Sequence, residues 1–198
     1  MGLFRAYALV FWLPLVATAD GLAIAAVEGG KSDADLQYSL EIDKSKRELV
    51  VRQGTRIARR YTVALGRGGV GGKRVRGDNK TPEGVYYVTG FNDQSPFDTF
   101  IRLNYPNIKD GFFGLQRALI TRAEFDQIVD AQRQDALPPQ QTPLGGAIGI
   151  HGLGDENPGK LTIQANLNWT KGCVALTNRE IRELRRLVAV GTRVVIRE

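Results

Sequence analysis

The chain contains one cysteine and one histidine, and these two side chains are its candidates for nucleophilic chemistry. Cys173 lies downstream of His151. A free thiol is mostly protonated at pH 7, and a neighbouring imidazole can convert it into a nucleophile by taking its proton. The sequence therefore predicts a Cys173–His151 pair. If the two form an ion pair, the pKa of the thiol should fall below its usual value of about 8.5.

The residues around this pair suit the same chemistry. An apolar segment, 147–150, leads to His151 and would hold the imidazole at a rigid strand end. Gly172 before Cys173 permits a close approach of the backbone, so the amides near Cys173 could point at a developing oxyanion. A third group must fix the histidine tautomer. Because no acid adjoins His151, a backbone carbonyl is the expected partner.

Other sites are less well supported by the sequence. A lone cysteine is often a small buried hydrophobe, and a lone histidine is often structural, but glycine-bearing motifs surround both residues here. One Cys and one His cannot build a zinc site unaided, so no metal and no cofactor are expected. Residues 66–72 match the G-x-G-x-x-G spacing of dinucleotide sites, yet no helix pattern follows them. We interpret them as a flexible loop.

The first 25 residues resemble a secretory signal peptide. Arg5 precedes an apolar run, and Ala17-Thr18-Ala19 supplies small residues for cleavage, which predicts a signal over residues 1–19 with an alternative end at 25. The run is too short for a membrane span, which needs about 20 apolar residues. No later segment is long enough, so no span is expected in the mature chain. Residues 20–36 are predicted to be a flexible lead-in to a domain over 37–198.

Export changes the meaning of the charge and of the cysteine count. The formal net charge is +6. In an exported, periplasmic protein a basic balance favours an anionic wall polymer over nucleic acid, and no nucleic-acid partner is expected. A single cysteine cannot form an internal disulfide, so in an oxidising compartment it indicates a reactive thiol or an intermolecular bridge.

The elements that must position the pair are mostly strands. Alternating apolar and polar residues with turn signals predict strands at residues 36–42, 48–52, 56–65, 84–91, 99–103, 147–150 and 192–196. Capping boxes at Thr121 and Thr177 predict two short helices. The expected fold is mainly β and sandwich-like, with two short helices inserted.

The motifs around the pair resemble the L,D-transpeptidase catalytic domain family. Its signature is a His-Gly dipeptide followed downstream by Ser/Thr-His-Gly-Cys, and this sequence has His151-Gly152 and then Thr170-Lys171-Gly172-Cys173. Residues 77–86 also look like the family's Thr-Pro-x-Gly strand entry. The resemblance covers roughly residues 37–197.

This resemblance implies specific roles for the matching residues. Cys173 would attack the carbonyl of the third residue of a peptidoglycan stem peptide, and His151 would take the thiol proton. The carbonyl of Gly152 would orient His151, and the amides of Gly172 and Cys173 would form the oxyanion hole. Thr170 is a candidate substrate contact. An amine acceptor would then resolve the acyl-enzyme, giving a role in peptidoglycan biosynthesis and cell shape.

Two departures from the family pattern leave the reaction open. Lys171 stands where many members have histidine, and Ala175 stands where many have an arginine that contacts a substrate carboxylate. Together with residues 91–92 and 103–107, they resemble the branch that includes an enzyme releasing a lipoprotein from peptidoglycan. A wall-linked lipoprotein is therefore a further candidate partner. Hydrolysis of the same bond and a non-catalytic wall-binding module are the competing functions; a papain-like protease places its cysteine before its histidine.

Overall fold

The computed structural model describes residues 37–198, and the predicted signal peptide and the predicted lead-in lie outside these residues. Within them the strands and helices follow in the order β1 (Tyr38–Asp43), β2 (Glu48–Gln53), β3 (Arg56–Thr62), β4 (Gly84–Ser95), β5 (Asp98–Leu103), α1 (Ile108–Gln116), α2 (Arg122–Arg133), β6 (Gly149–His151), α3 (Pro158–Asn166), β7 (Val174–Ala175), α4 (Asn178–Leu187) and β8 (Arg193–Arg197). No helix of this part is both long and apolar enough to cross a bilayer. The mainly β fold predicted from sequence is confirmed.

The strands form one curled sheet in the order β3-β2-β1-β8-β4-β5-β6-β7. The first three make the predicted antiparallel meander, and β8 joins it parallel to β1. The predicted third strand, 56–65, ends at Thr62 because the chain then leaves β2. Ala64 pairs instead with Ala175 of β7, through N–H···O distances of 3.1 and 2.8 Å. The two ends of the sheet thus meet beside the cysteine motif.

The main core lies inside this curl. It consists of side chains that alternate along the strands and of the inner face of α4, among them Leu40, Ile42, Leu103, Ile150 and Ile181. Each of these is at most 1% exposed. Burial of such apolar area is the dominant favourable contribution to folding. Because Ile150 and Ile181 both belong to this core, the strand before His151 and the helix after Cys173 are fixed to the same rigid body.

Two of the four helices, α1 and α3, are absent from the sequence prediction. Helix α1 contains Gly111 and Gly114, which disfavour a helix in isolation. They are required by packing, because a Cβ on Gly111 would lie 3.1 Å from the Phe125 ring and one on Gly114 would lie 2.8 Å from Leu144. Helix α3 has little apolar periodicity, although Asn157 as N-cap and Pro158 at its start are ordinary start signals.

Candidate active site

The two predicted catalytic side chains line the same cavity, which has a volume of about 780 Å³. His151 is the last residue of β6, and Cys173 immediately precedes β7. These two strands pair in parallel, with Ile150 opposite Val174 and His151 opposite Ala175. The ladder therefore places the histidine and the cysteine on adjacent segments of the chain that both line the cavity, which their order in the sequence alone could not show.

The Gly152 carbonyl fixes the protonation pattern of the imidazole. The Nδ1 atom of His151 lies 2.6 Å from the Gly152 oxygen. A carbonyl oxygen can only accept a hydrogen bond, so Nδ1 carries the proton and Nε2 keeps its lone pair. The neutral ring can therefore accept a proton through Nε2.

Aromatic rings surround this imidazole and keep it neutral. The rings of Phe97, Trp169 and Phe100 have centroids 4.5, 5.8 and 6.3 Å from that of His151, and His151 is 3% exposed. Burial disfavours the charged ring and lowers the pKa of His151, although the hydrogen bond to the Gly152 carbonyl opposes this effect. At neutral pH the imidazole is thus in the form that a general base needs.

Asn178, the first residue of α4, holds the segment that carries the Gly152 carbonyl. Its Oδ1 accepts from the amides of Leu153 and Gly154 at 2.7 and 3.2 Å, and its Nδ2 donates to the Gly154 oxygen at 2.7 Å. Gly152 allows this close approach, because a Cβ there would lie 2.7 Å from Asn178 Oδ1. Sequence reasoning assigns Asn178 only to a helix start, and the sequence carries no signal for its contacts with residues 153–154.

A tight turn over residues 170–173 presents the cysteine. The Thr170 hydroxyl donates to the Cys173 carbonyl at 2.6 Å and accepts from the Gly172 amide at 3.1 Å. Gly172 has a φ of +129°, and a Cβ there would lie 2.8 Å from the Lys80 carbonyl oxygen, so glycine is required. The turn thus uses the donor and one acceptor site of the Thr170 hydroxyl. The predicted contact of Thr170 with substrate stays a prediction.

The two amides predicted for the oxyanion hole differ in their present partners. The Gly172 amide donates to Thr170, whereas the Cys173 amide has no acceptor among residues 37–198. The Cys173 amide is therefore the one that is free to bind an oxyanion. The oxyanion hole itself stays a prediction.

The thiol of Cys173 is half-buried and protonated at neutral pH. It donates a hydrogen bond to the Ala147 carbonyl with an S···O distance of 3.5 Å. Burial raises the pKa of Cys173 from 9.0 to about 11, while the Gly149 amide and the charge of Lys73 oppose this rise. The sequence-based expectation of a lowered pKa is wrong for this structure, because the buried imidazole is neutral and offers no positive charge.

The cavity is lined by aromatic and cationic side chains. Its cations are Arg67, Lys73, Arg76 and Lys171, and no carboxylate of the described residues lines it. Arg67, Arg76 and Lys171 are exposed, but Lys73 is buried. Such a cavity suits a ligand that carries negative charge. Within residues 37–198 no three His, Cys, Asp or Glu side chains are grouped to hold a metal ion.

Two glutamines that sequence reasoning passes over support this cavity. Gln164 of α3 accepts from the Trp169 indole at 3.0 Å and donates to the Ala175 carbonyl at 2.7 Å. Gln140 accepts from the Ala147 amide at 2.6 Å. Helix α3 thus ties the aromatic wall to β7, and Gln140 fixes the segment whose carbonyl receives the thiol.

This arrangement has a counterpart among known protein families. The YkuD family, described as the L,D-transpeptidase catalytic domain, matches residues 37–196. The chain belongs to this family. The His151-Gly152 dipeptide and the motif that ends at Cys173 both lie within the matched residues. No curated protein sequence matches the chain.

Solved structures share the L,D-transpeptidase fold with this chain. The helical cell shape determining protein Pgp2 from Campylobacter jejuni is 21% identical with a TM-score of 0.54, over 82% of this chain and 48% of that chain. Bd1075 from Bdellovibrio bacteriovorus is 22% identical with a TM-score of 0.50, over 84% of this chain and 50% of that chain. At these identities the likeness shows the fold. The chain spans about half the length of these structures.

Proposed function

We propose that this domain is a peptidoglycan L,D-transpeptidase that acylates Cys173 with a stem peptide and transfers the acyl group to an amine. The observation that supports this most is the shared cavity of Cys173 and His151, with His151 held in the tautomer of a general base. Membership of the L,D-transpeptidase family makes peptidoglycan stem peptides the expected substrate class. The cationic side chains that line the cavity suit the carboxylates of such peptides.

In the proposed reaction, Nε2 of His151 takes the thiol proton as the sulfur attacks the carbonyl carbon of the third stem residue. The oxyanion that forms accepts a hydrogen bond from the Cys173 amide. Collapse of this intermediate breaks the peptide bond, and the imidazolium gives its proton to the departing amine of the terminal residue. A thioester on Cys173 remains. An acceptor amine then attacks the thioester and loses a proton to His151. His151 passes this proton to the departing sulfur, which restores the thiol and the neutral imidazole.

Water in place of the amine would give the competing hydrolase, an L,D-carboxypeptidase or amidase. The chemistry up to the thioester is the same for both, so only the products distinguish them. A non-catalytic wall-binding module is the second competitor, and the ordered hydrogen bonds at His151 and Thr170 argue against it. Neither the family match nor the solved structures point to a wall-linked lipoprotein as partner.

The proposed substrate lies outside the cytoplasm, so the proposal includes export of the chain. The sequence features at Arg5 and residues 17–19 motivate this part of the proposal. N-terminal sequencing of the protein from its host should give a mature chain that begins at Asp20, or at Ala26 if the second site is used. An intact Met1 on cytosolic protein would contradict export.

Mass spectrometry of muropeptides incubated with purified protein tests the reaction. A cross-linked product indicates transfer, and loss of the terminal residue without a cross-link indicates hydrolysis. Cys173→Ala should abolish both, and His151→Ala should slow acylation by about 10² to 10⁴-fold. A carbapenem, which acylates this kind of cysteine in the family, can report acylation by itself. A folded Cys173→Ala protein that keeps more than about a tenth of the activity would reject this mechanism, since the nucleophile is indispensable to it.

A further inference from the structure

One of the cationic side chains that line the cavity belongs to a buried lysine. The side chain of Lys73 is 4% exposed, and its Nζ donates to the Val75 carbonyl and to Asp78 Oδ1, both at 2.9 Å. An ammonium has three N–H groups, and the third has no acceptor among residues 37–198. The Lys73 ammonium therefore lines the cavity and keeps one N–H group that can interact with negative charge inside it.

The loop that follows Lys73 fixes its ammonium in place. Asp78 Oδ2 accepts from the amides of Arg74 and Val75 at 2.6 and 3.0 Å, and its Oδ1 accepts from the Lys80 amide at 3.1 Å. On the other side, a Cβ on Gly145 would lie 3.3 Å from Lys73 Cε. The backbone thus clamps the carboxylate, and the carboxylate holds the ammonium, so Lys73 cannot swing away as an exposed lysine could.

The thiol chemistry creates a need for such a charge. Attack by Cys173 requires negative charge on sulfur, yet the neutral imidazole of His151 supplies no cation before it takes the proton. Arg67, Arg76 and Lys171 also line the cavity, but they are exposed, and water and salt screen exposed charges. A buried charge acts more strongly because the local dielectric is lower.

We propose that Lys73 is a positioning residue that stabilises the negative charge developing on Cys173, with Asp78 holding its ammonium at the cavity wall. The proposal rests on the proposed function insofar as Cys173 is the nucleophile. The effect of Lys73 on the thiol agrees in sign, because its charge opposes the rise that burial causes in the pKa of Cys173. The Gly149 amide acts in the same direction and is unaffected by substitution at position 73.

The rate of alkylation of Cys173 by iodoacetamide, measured between pH 7.5 and 9.5, tests this role without any peptidoglycan. The rate below the pKa is proportional to the thiolate fraction, which changes about tenfold for each pKa unit. Lys73→Met should therefore react roughly threefold to tenfold more slowly than wild type, as loss of a nearby positive charge raises a thiol pKa. Lys73→Arg keeps the charge and should restore most of the rate.

Lys44→Met is the matched control. The side chain of Lys44 is also 4% exposed and is paired with Glu83 and Glu198, but it does not line this cavity. Its loss removes a comparable buried ion pair and should leave the alkylation rate within about twofold of wild type, provided that circular dichroism shows both variants folded. Equal rates for Lys73→Met and wild type, or equal slowing in both lysine variants, would overturn the proposal.

Asp78→Asn supplies a second test with the opposite sign. The asparagine oxygen can still accept from the Lys73 ammonium, but the negative charge that compensates this ammonium is removed, so alkylation should become faster. Simple disturbance of the loop would instead slow both Asp78→Asn and Lys73→Met. A slower or unchanged rate in folded Asp78→Asn overturns the proposal even if Lys73→Met does not fold. A wild-type thiol that is alkylated only on unfolding would instead reject Cys173 as nucleophile, so the two failures can be told apart.

Discussion

The protonation state of Cys173 can be measured through the stability of the fold at alkaline pH. In the folded protein the pKa of this thiol is raised from 9.0 to about 11, so between these values the folded state keeps a proton that the unfolded state has lost. The unfolding free energy must then fall as pH rises through this range. Cys173→Ala lacks the thiol, while every tyrosine and lysine titrates equally in both proteins. The difference between wild type and variant therefore isolates Cys173.

The size of the effect follows from the same two values. One pKa unit corresponds to about 1.4 kcal/mol, so a rise from 9.0 to about 11 destabilises the wild type by up to about 2.7 kcal/mol at high pH. About half of this loss should be complete at pH 10. Because the thiol is half-buried, water weakens the effect, and we expect a loss between about 1 and 2.5 kcal/mol.

Urea unfolding of both proteins at pH 7.5, 9, 10 and 10.5 is the appropriate assay. The stability difference should be constant up to about pH 8.5 and then change against the wild type. A preformed thiolate–imidazolium pair predicts the reverse, since a lowered thiol pKa would make the wild type gain stability relative to Cys173→Ala as pH rises toward 9. Parallel curves, or a gain of this kind, would refute a protonated resting thiol.

Three further predictions concern the groups around the thiol. Because burial lowers the pKa of His151 below 6.5, carbapenem acylation should lose rate only below pH 6.5, and a midpoint at or above 6.5 would contradict a buried neutral base. Gly172→Ala should lower the unfolding free energy by about 1 to 3 kcal/mol more than Gly191→Ala, as measured by urea unfolding. Both glycines have positive φ, but a Cβ would lie in open space at Gly191 and against the Lys80 carbonyl at Gly172. Equal losses would mean that this contact at Gly172 is unimportant. Asn178→Ala should slow acylation about tenfold or more, because the segment that follows His151 loses its hydrogen bonds to Asn178. Substitution of the exposed neighbour, Arg179→Ala, should leave the rate unchanged. Equal rates in the two variants would show that Asn178 does not position His151.

The sequence predicts this sheet well where periodicity is set by burial on one face. The strand that contains Leu40 and Ile42 follows from alternation, and the helix that begins after Thr177 follows from a capping box. Helix α1 is missed because its glycines are selected by contact with Phe125 and Leu144, which is tertiary information. Pairing of Ala64 with β7 is missed for the same reason, since nothing local to residues 62–66 indicates that partner.

At the site, the sequence identifies the residue types and their motif but not their surroundings. The pair Cys173 and His151 and the carbonyl of Gly152 follow from chemistry and from the family resemblance. The direction of the shift in the pKa of Cys173 does not follow from them, because it depends on how far the folded structure shields the thiol from water. Lys73 is missed because a lysine after a glycine-rich loop is normally exposed. Its burial and its ion pair with Asp78 become visible only in the folded structure.

Burial acts in opposite directions on the two reacting groups, and this has a consequence for the order of events. Proton transfer from the resting thiol to the imidazole is disfavoured, because burial raises the pKa of Cys173 to about 11 and lowers the pKa of His151. A free thiolate is therefore a poor intermediate in the resting cavity. The proton transfer becomes favourable when sulfur forms its bond to the carbonyl carbon and the charge moves to an oxygen near the Cys173 amide. In the proposed mechanism the groups that lower this barrier, Lys73 and the Cys173 amide, are fixed and need no rearrangement when the substrate binds. A thiol protected in this way stays mostly protonated and reacts slowly with other electrophiles, whereas a carbonyl aligned with it in the cavity reacts faster.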